Sequence, residues 1–280
     1  VTLQLLWEEY CERNPGGFYS YNHYCRMYRE WLKTTSPSMR QVHKAGEKLF
    51  VDYCGPTVGV TDPETGEIRT AQVIVAVLGA SSYTWAEATW SQQLEDWVMS
   101  HVRCFQWLGG VPELVVPDNL KSATSRACKY DPDVNPTYQQ MLEHYNVAVL
   151  PARPRKPKDK AKAEVGVQVV ERWIMARIRH EIFYSLASLN QRIRELLERL
   201  NNKIMQKLGY SRAELFIQLD KPALKPLPEA SYSYTLVKKV RVHADYHVEI
   251  DKHYYSVPCS LLGQQLEAWI SGELVRLFNQ

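Results

Sequence analysis

The stretch Lys48-Leu49-Phe50-Val51-Asp52-Tyr53-Cys54-Gly55 sets one carboxylate in the middle of an otherwise apolar run. Alternation along a strand puts Leu49, Val51 and Tyr53 on one face, with Phe50 and Asp52 on the other. Asp is depleted in strands because it packs poorly on a pleated, half-buried surface. A buried carboxylate without a cationic partner costs on the order of several kcal/mol. Asp52 therefore requires a partner, and the residues around it are read for one.

Downstream, Asp62-Pro63-Glu64-Thr65-Gly66 is a turn leading into Ile68–Leu78, whose Val73–Leu78 core is apolar on both faces. Tyr83–Thr89 reads as a third strand, and the short connections predict an antiparallel meander. A helix is expected over 91–108, with Leu94, Trp97, Val98, His101, Val102, Phe105 and Leu108 on one face. His101 lies on that apolar face and reads as a core histidine. Glu113–Pro117 is a fourth strand, stopping at Asp118-Asn119. Asn135-Pro136 signals a helix start, Val147–Leu150 is a short fifth strand, and a further helix runs from about Asp159 to Arg179. The order is three antiparallel strands, helix, strand, helix, strand, helix. With the first strand central, between the second and the fourth, Asp52 falls in the middle of a mixed five-stranded sheet.

The flanks differ in character. Residues 1–36 read as two short helices broken at Asn14-Pro15-Gly16-Gly17, compatible with the end of a helix-turn-helix or with a hairpin that merely packs. Residues 37–182 form the α/β core. Residues 183–230 are a helical linker region with an amphipathic helix over 186–208 and prolines at 222, 226 and 228. Residues 231–280 carry short alternating strands and read as a small β-barrel.

Composition bounds the rest. With 280 residues and 45% hydrophobic residues the chain has material for more than one packed domain. A formal charge of +3 leaves any nucleic-acid binding to local patches. The six cysteines form no CxxC pair, which argues against a disulfide framework and a structural zinc and fits a reducing cytoplasm. No apolar run approaches the roughly 20 residues of a membrane helix. The chain opens on Val in a helical pattern, so it is expected to be a fragment.

Three carboxylates can converge in this order of elements. Asp52 sits in the central strand, Asp118 ends the neighbouring strand, and Glu164 lies in the last core helix beside Ala161, Ala163 and Gly166, which permit close approach. Taken singly, Asp52 could be salt-bridged in a core, Asp118-Asn119 a turn or cap, and Glu164 a helix residue paired with Lys160. Taken together they are hard oxygen ligands suited to Mg²⁺ or Mn²⁺. Two such ions, about 3.5–4 Å apart, clamp the attacking and leaving oxygens of an in-line phosphoryl displacement.

Val51-Asp52-Tyr53-Cys54-Gly55, Pro117-Asp118-Asn119 and Lys160-x-Lys162-x-Glu164 resemble the DDE transposase and integrase superfamily, with its ribonuclease H-like core. The likeness is closest to IstA-type insertion-sequence transposases, with Tyr255-Ser256-Val257-Pro258 matching the signature of their C-terminal barrel. One departure is the 46 residues from Asp118 to Glu164 (164 − 118), longer than the compact spacing of retroviral integrases, with the extra length at 120–135. The resemblance implies a DNA transposase that cleaves at the 3′ end of an element and joins it to target DNA by direct transesterification. It implies two ions per site, with Asp52 on both and Asp118 and Glu164 on one each. It further implies a homo-oligomer on paired ends, an AAA+ helper ATPase, and a bacterial, nucleoid-associated location. Two other readings stay open: a nuclease of the same fold without joining activity, and a non-catalytic DNA-binding assembly protein.

Arg153, Arg155, Lys156, Lys158, Lys160 and Lys162 crowd the approach to Glu164 and are candidate DNA contacts, since phosphates dominate DNA affinity. Arg26 and Arg29, on the polar side of the second helix, are candidates if the first segment is a true helix-turn-helix. His243 and His247 fall in strands and are not read as a metal site.

Overall fold

The computed structural model describes residues 2–35, 42–117, 124–126, 133–150, 157–272 and 274–279. Two compact units divide the chain, Val1–Val42 and His43–Gln280. The first holds α1 (Leu3–Arg13) and α2 (Tyr21–Thr35). Thr2 caps α1 through an Oγ1 that accepts the Leu5 N–H at 3.3 Å. Aromatic rings join the helices: Trp7 lies edge-on to Phe18 and Tyr21, and Tyr10 meets Tyr19 and Tyr24. Among the described residues of this unit only Cys25 is buried.

The second unit begins with β1 (Lys48–Tyr53), β2 (Val58–Thr61), β3 (Ile68–Leu78) and β4 (Thr84–Thr89), followed by α3 (Leu94–Leu108) and β5 (Leu114–Pro117). A small pair, β6 (Thr124–Arg126) and β7 (Asp133–Val134), precedes α4 (Pro136–His144) and β8 (Ala148–Val149). Then comes α5 (Pro157–Val170), which runs through a π-helical turn at Glu171–Met175 into α6 (Ala176–Ile178). The main sheet has six strands in the order β2-β3-β1-β5-β8, with β4 also paired to β3. Central β1 is antiparallel to β3 (Asp52 opposite Val75) and parallel to β5 (Val51 opposite Pro117).

The sheet has a sixth strand because the opening strand is interrupted. Cys54 N–H still donates to Val73 O at 2.8 Å, and pairing with β3 resumes only at Val58 opposite Ala71. Pro56 falls in that gap and has no N–H for the ladder. The ribonuclease H-like mixed sheet is otherwise as expected.

Each face of the sheet is covered. Leu49, Val51 and Tyr53 share a core with Trp97, Phe105, Tyr138 and Met141 of α3 and α4. Val73, Val75 and Val77 pack with Val170 and Ile174, and with Leu189, Ile193, Leu196 and Leu197 of α7 (Leu186–Asn202). The helix expected to reach 208 stops at Asn202, leaving Ile204 62% exposed. It also packs into the core instead of spanning a linker, because two asparagines dock it on β4. Asn190 Oδ1 accepts the Ala88 N–H at 2.7 Å while its Nδ2 donates to Ala88 O at 2.9 Å. Asn201 pairs in the same way with Thr84, at 3.1 and 2.8 Å. These amides satisfy backbone groups that a sheet edge would otherwise expose.

Beyond it lie α8 (Arg212–Leu215), a π-helical turn at Phe216–Asp220 and α9 (Lys221–Ala223). The remaining strands are β9 (Leu236–Arg241), β10 (His247–Ile250), β11 (His253–Ser256), β12 (Gln265–Ser271) and β13 (Leu274–Phe278). They form a three-stranded sheet, β13-β12-β9, and the hairpin β10-β11, around a core of Val242, Val248, Ile250, Leu266 and Ala268. The expected barrel is thus two small sheets sharing one core. No described helix is long and apolar enough to cross a membrane.

Candidate functional site

Asp52 leaves β1 on the face it shares with Phe50 and is half-buried. Its Oδ1 accepts the N–H of Tyr53 at 2.8 Å. Phe50, 3% exposed, clusters with Val116 of β5 and Ala163 of α5. Seven residues on from Glu164, Glu171 Oε1 accepts the Gly55 N–H at 3.3 Å. Helix α5 and its continuation therefore run alongside β1, with Ala163 near Phe50 and Glu171 at Gly55. Asp52 lies between those two anchor points on the strand, and Glu164, exposed to solvent, lies between them on the helix.

The close docking of α5 depends on Gly166. A Cβ there would lie 2.3 Å from Val77 Cγ2, so only glycine lets the helix this near β3. Burial, followed by the charges of Glu171 and Asp52, pushes the Cys54 thiol up to about 12. The oxygen ligands that α5 and β1 offer are the carboxylates of Glu164 and Asp52. Carboxylate oxygens are donors that fit Mg²⁺ or Mn²⁺.

Asp118 lies outside the described residues. The last one before it, Pro117, pairs with Val51, which immediately precedes Asp52. No group of three His, Cys, Asp or Glu side chains able to hold a metal occurs among the described residues. The structure thus brings the strand of Asp52 and the helix of Glu164 into contact and leaves Asp118 undescribed.

Of the basic candidates, Arg153, Arg155 and Lys156 lie outside the described residues, while Lys158 and Lys160 fall in the first turn of α5. Lys162 turns inward: its Nζ donates to Ser82 Oγ at 2.8 Å, and burial holds its pKa below the usual lysine range. Arg26 and Arg29 are exposed on α2, with an Arg26 amino group 3.0 Å from His23 Nδ1. His101 is a core residue, as expected. It is 2% exposed, with Nδ1 2.8 Å from Trp97 O and Nε2 3.3 Å from the Tyr138 hydroxyl. Sequence reading missed Glu171, although its two-turn spacing from Glu164 was a signal. Ser82 and the buried Asp220 carried none.

Residues 42–157 match the integrase core domain family, and residues 227–280 match the Mu transposase C-terminal domain. The first match includes Asp52 and Asp118 and stops before Glu164. A protein described as a transposase for insertion sequence IS408 of Burkholderia multivorans is 51% identical over 280 residues, which is 100% of this chain and 54% of the relative. A Sinorhizobium fredii protein described as transposase y4uI is 48% identical over 279 residues, 99% of this chain and 54% of the relative. The transposase for IS21 of Pseudomonas aeruginosa is 27% identical over 197 residues, covering 70% of this chain and 50% of that protein. The chain thus spans about half the length of the curated relatives it matches.

Proposed function

We propose, from the chain's membership of the DDE transposase and integrase superfamily, that it catalyses metal-dependent cleavage and joining of DNA at the ends of an insertion sequence. The observation that supports this most is the docking of α5 along β1, which carries Glu164 beside the strand of Asp52. In this reading Asp52, Asp118 and Glu164 are the residues that would hold two Mg²⁺ or Mn²⁺ ions. Bound there, the ions would supply Lewis-acid activation of the attacking oxygen and neutralise charge on the scissile phosphate. The protein's own part is to hold its carboxylates on rigid elements, since such a site tolerates little slack. Lys156, Lys158 and Lys160, with Arg153 and Arg155, approach the DNA backbone. Arg26 and Arg29 contact it from α2. The chain works as a multimer on paired ends with an AAA+ helper ATPase, on bacterial nucleoid DNA.

The test is strand transfer of a pre-cut element end into plasmid target in Mg²⁺, comparing wild type with Asp52→Asn. Joined products from wild type, lost in the variant while DNA binding persists, are expected. Cleavage without joining would identify a nuclease, and binding without either an assembly protein. Full joining by Asp52→Asn would refute the assignment of Asp52.

A further inference from the structure

Lys162 stands two residues before Glu164 in a run of basic residues, yet its side chain turns into the protein. Its partner, Ser82, lies in the turn between β3 and β4 at φ 61°. The next residue back, Ser81, donates its N–H to Asp220 Oδ2 at 2.9 Å. Asp220 is 1% exposed, and its Oδ1 accepts the Gly46 N–H at 2.8 Å, where the chain enters β1. One buried carboxylate thus ties the entry to β1 to the β3–β4 turn, and Lys162 ties that turn to α5. Gly46 itself, at φ 66°, sits so close to Ala223 that a Cβ would lie 2.6 Å from its carbonyl oxygen. The segment 211–225 is therefore held tightly against this corner of the sheet.

We propose that Lys162 is a positioning residue, which anchors the helix carrying Glu164 to the Ser82 turn and so fixes Glu164 relative to the strand carrying Asp52. Three anchors, two on α5 and one on its continuation, divide the work. Gly166 sets how near the helix lies to β3, Glu171 pins its continuation to Gly55, and Lys162 pins the turn before Glu164. A catalytic group displaced by about 1 Å loses on the order of 100-fold in rate. Loosening the Lys162 turn therefore lowers the rate of joining without touching DNA affinity. A lysine on a phosphate does the reverse, because each lost contact weakens binding and flattens its salt dependence.

The activity arm of the test rests on the transposase reading above, so a second arm is independent of it. Lys162→Met keeps the apolar stem, and Ser82→Ala removes only the acceptor. Hydrogen exchange of the amides in 158–164 is expected to quicken in both variants, and to the same degree in the double variant as in either single one. In strand transfer with a pre-cut end duplex, kcat is expected to fall about 10- to 100-fold in both. KM for the duplex should stay within about twofold and the salt slope of binding should be unchanged. Normal exchange in Ser82→Ala, or a raised KM and flattened salt slope confined to Lys162→Met, would overturn the anchor and return Lys162 to the DNA interface. If wild type joins no ends, the transposase reading fails, and exchange alone decides. Faster exchange in both variants upholds the anchor, and unchanged exchange refutes it.

Discussion

Asp52 is tolerated in an apolar strand because it emerges at the rim of the core, half-exposed, where its own neighbour's N–H supplies a hydrogen bond. His101 shows the contrasting case of a polar side chain committed to the interior. Burial pushes its pKa down to about 4 from 6.5, even though the Trp97 carbonyl opposes the shift. Between those values the unfolded chain takes up a proton that the folded one does not, so stability falls as pH drops from 6.5 to 4. The full loss is about 3 kcal/mol. Melting temperature should therefore drop more steeply over that interval for wild type than for His101→Phe. Parallel curves would mean that His101 titrates normally in the folded state. The buried fate of His101 was legible because it falls on the apolar stripe of α3. The inward turn of Lys162 was not, since its acceptor lies 80 residues away in sequence and a run of lysines gives no sign that one of them is half-buried.

The element that decides the site is α5. Its small residues Ala163 and Gly166 announced close packing, and that much was readable. Replacing a helical glycine by alanine ordinarily stabilises by up to about 1 kcal/mol. Here the new methyl would collide with Val77, and overpacking of this kind costs about 1–3 kcal/mol. The collision wins. Gly166→Ala is expected to lower the melting temperature and to depress joining, with DNA affinity unchanged; a rise in melting temperature would show that α5 does not lie so close to β3. The π-helical turn after α5 was not legible, because a single extra residue per turn leaves no periodic trace. Nor was the docking of α7, which depends on two asparagines meeting β4 far away in sequence. The break between β1 and β2 could have been read from Pro56, but the apolar alternation on either side masked it.

Across the whole molecule, the strand and helix order was enough to place β1 centrally, while the boundaries of the flanking segments depended on long-range packing that no local pattern encodes. The charge is nearly balanced, +3 over 280 residues, so DNA affinity should depend on a few local contacts. Lys156→Ala with Lys158→Ala is expected to weaken binding of an end duplex and reduce the slope of log affinity against log salt by about 1 per lost contact. Arg26→Ala with Arg29→Ala should do the same if α2 lies on DNA, and an unchanged slope for either pair removes that pair from the interface. The convergence of Asp52 and Glu164 on metal is tested most directly by anomalous diffraction from crystals of the full chain in Mn²⁺. Peaks bounded by the carboxylates of Asp52, Asp118 and Glu164, lost in Asp52→Asn crystals, are the expected result. Wild-type crystals with ordered Asp52 and Glu164 but no Mn²⁺ between them, at a concentration that supports joining, would contradict it.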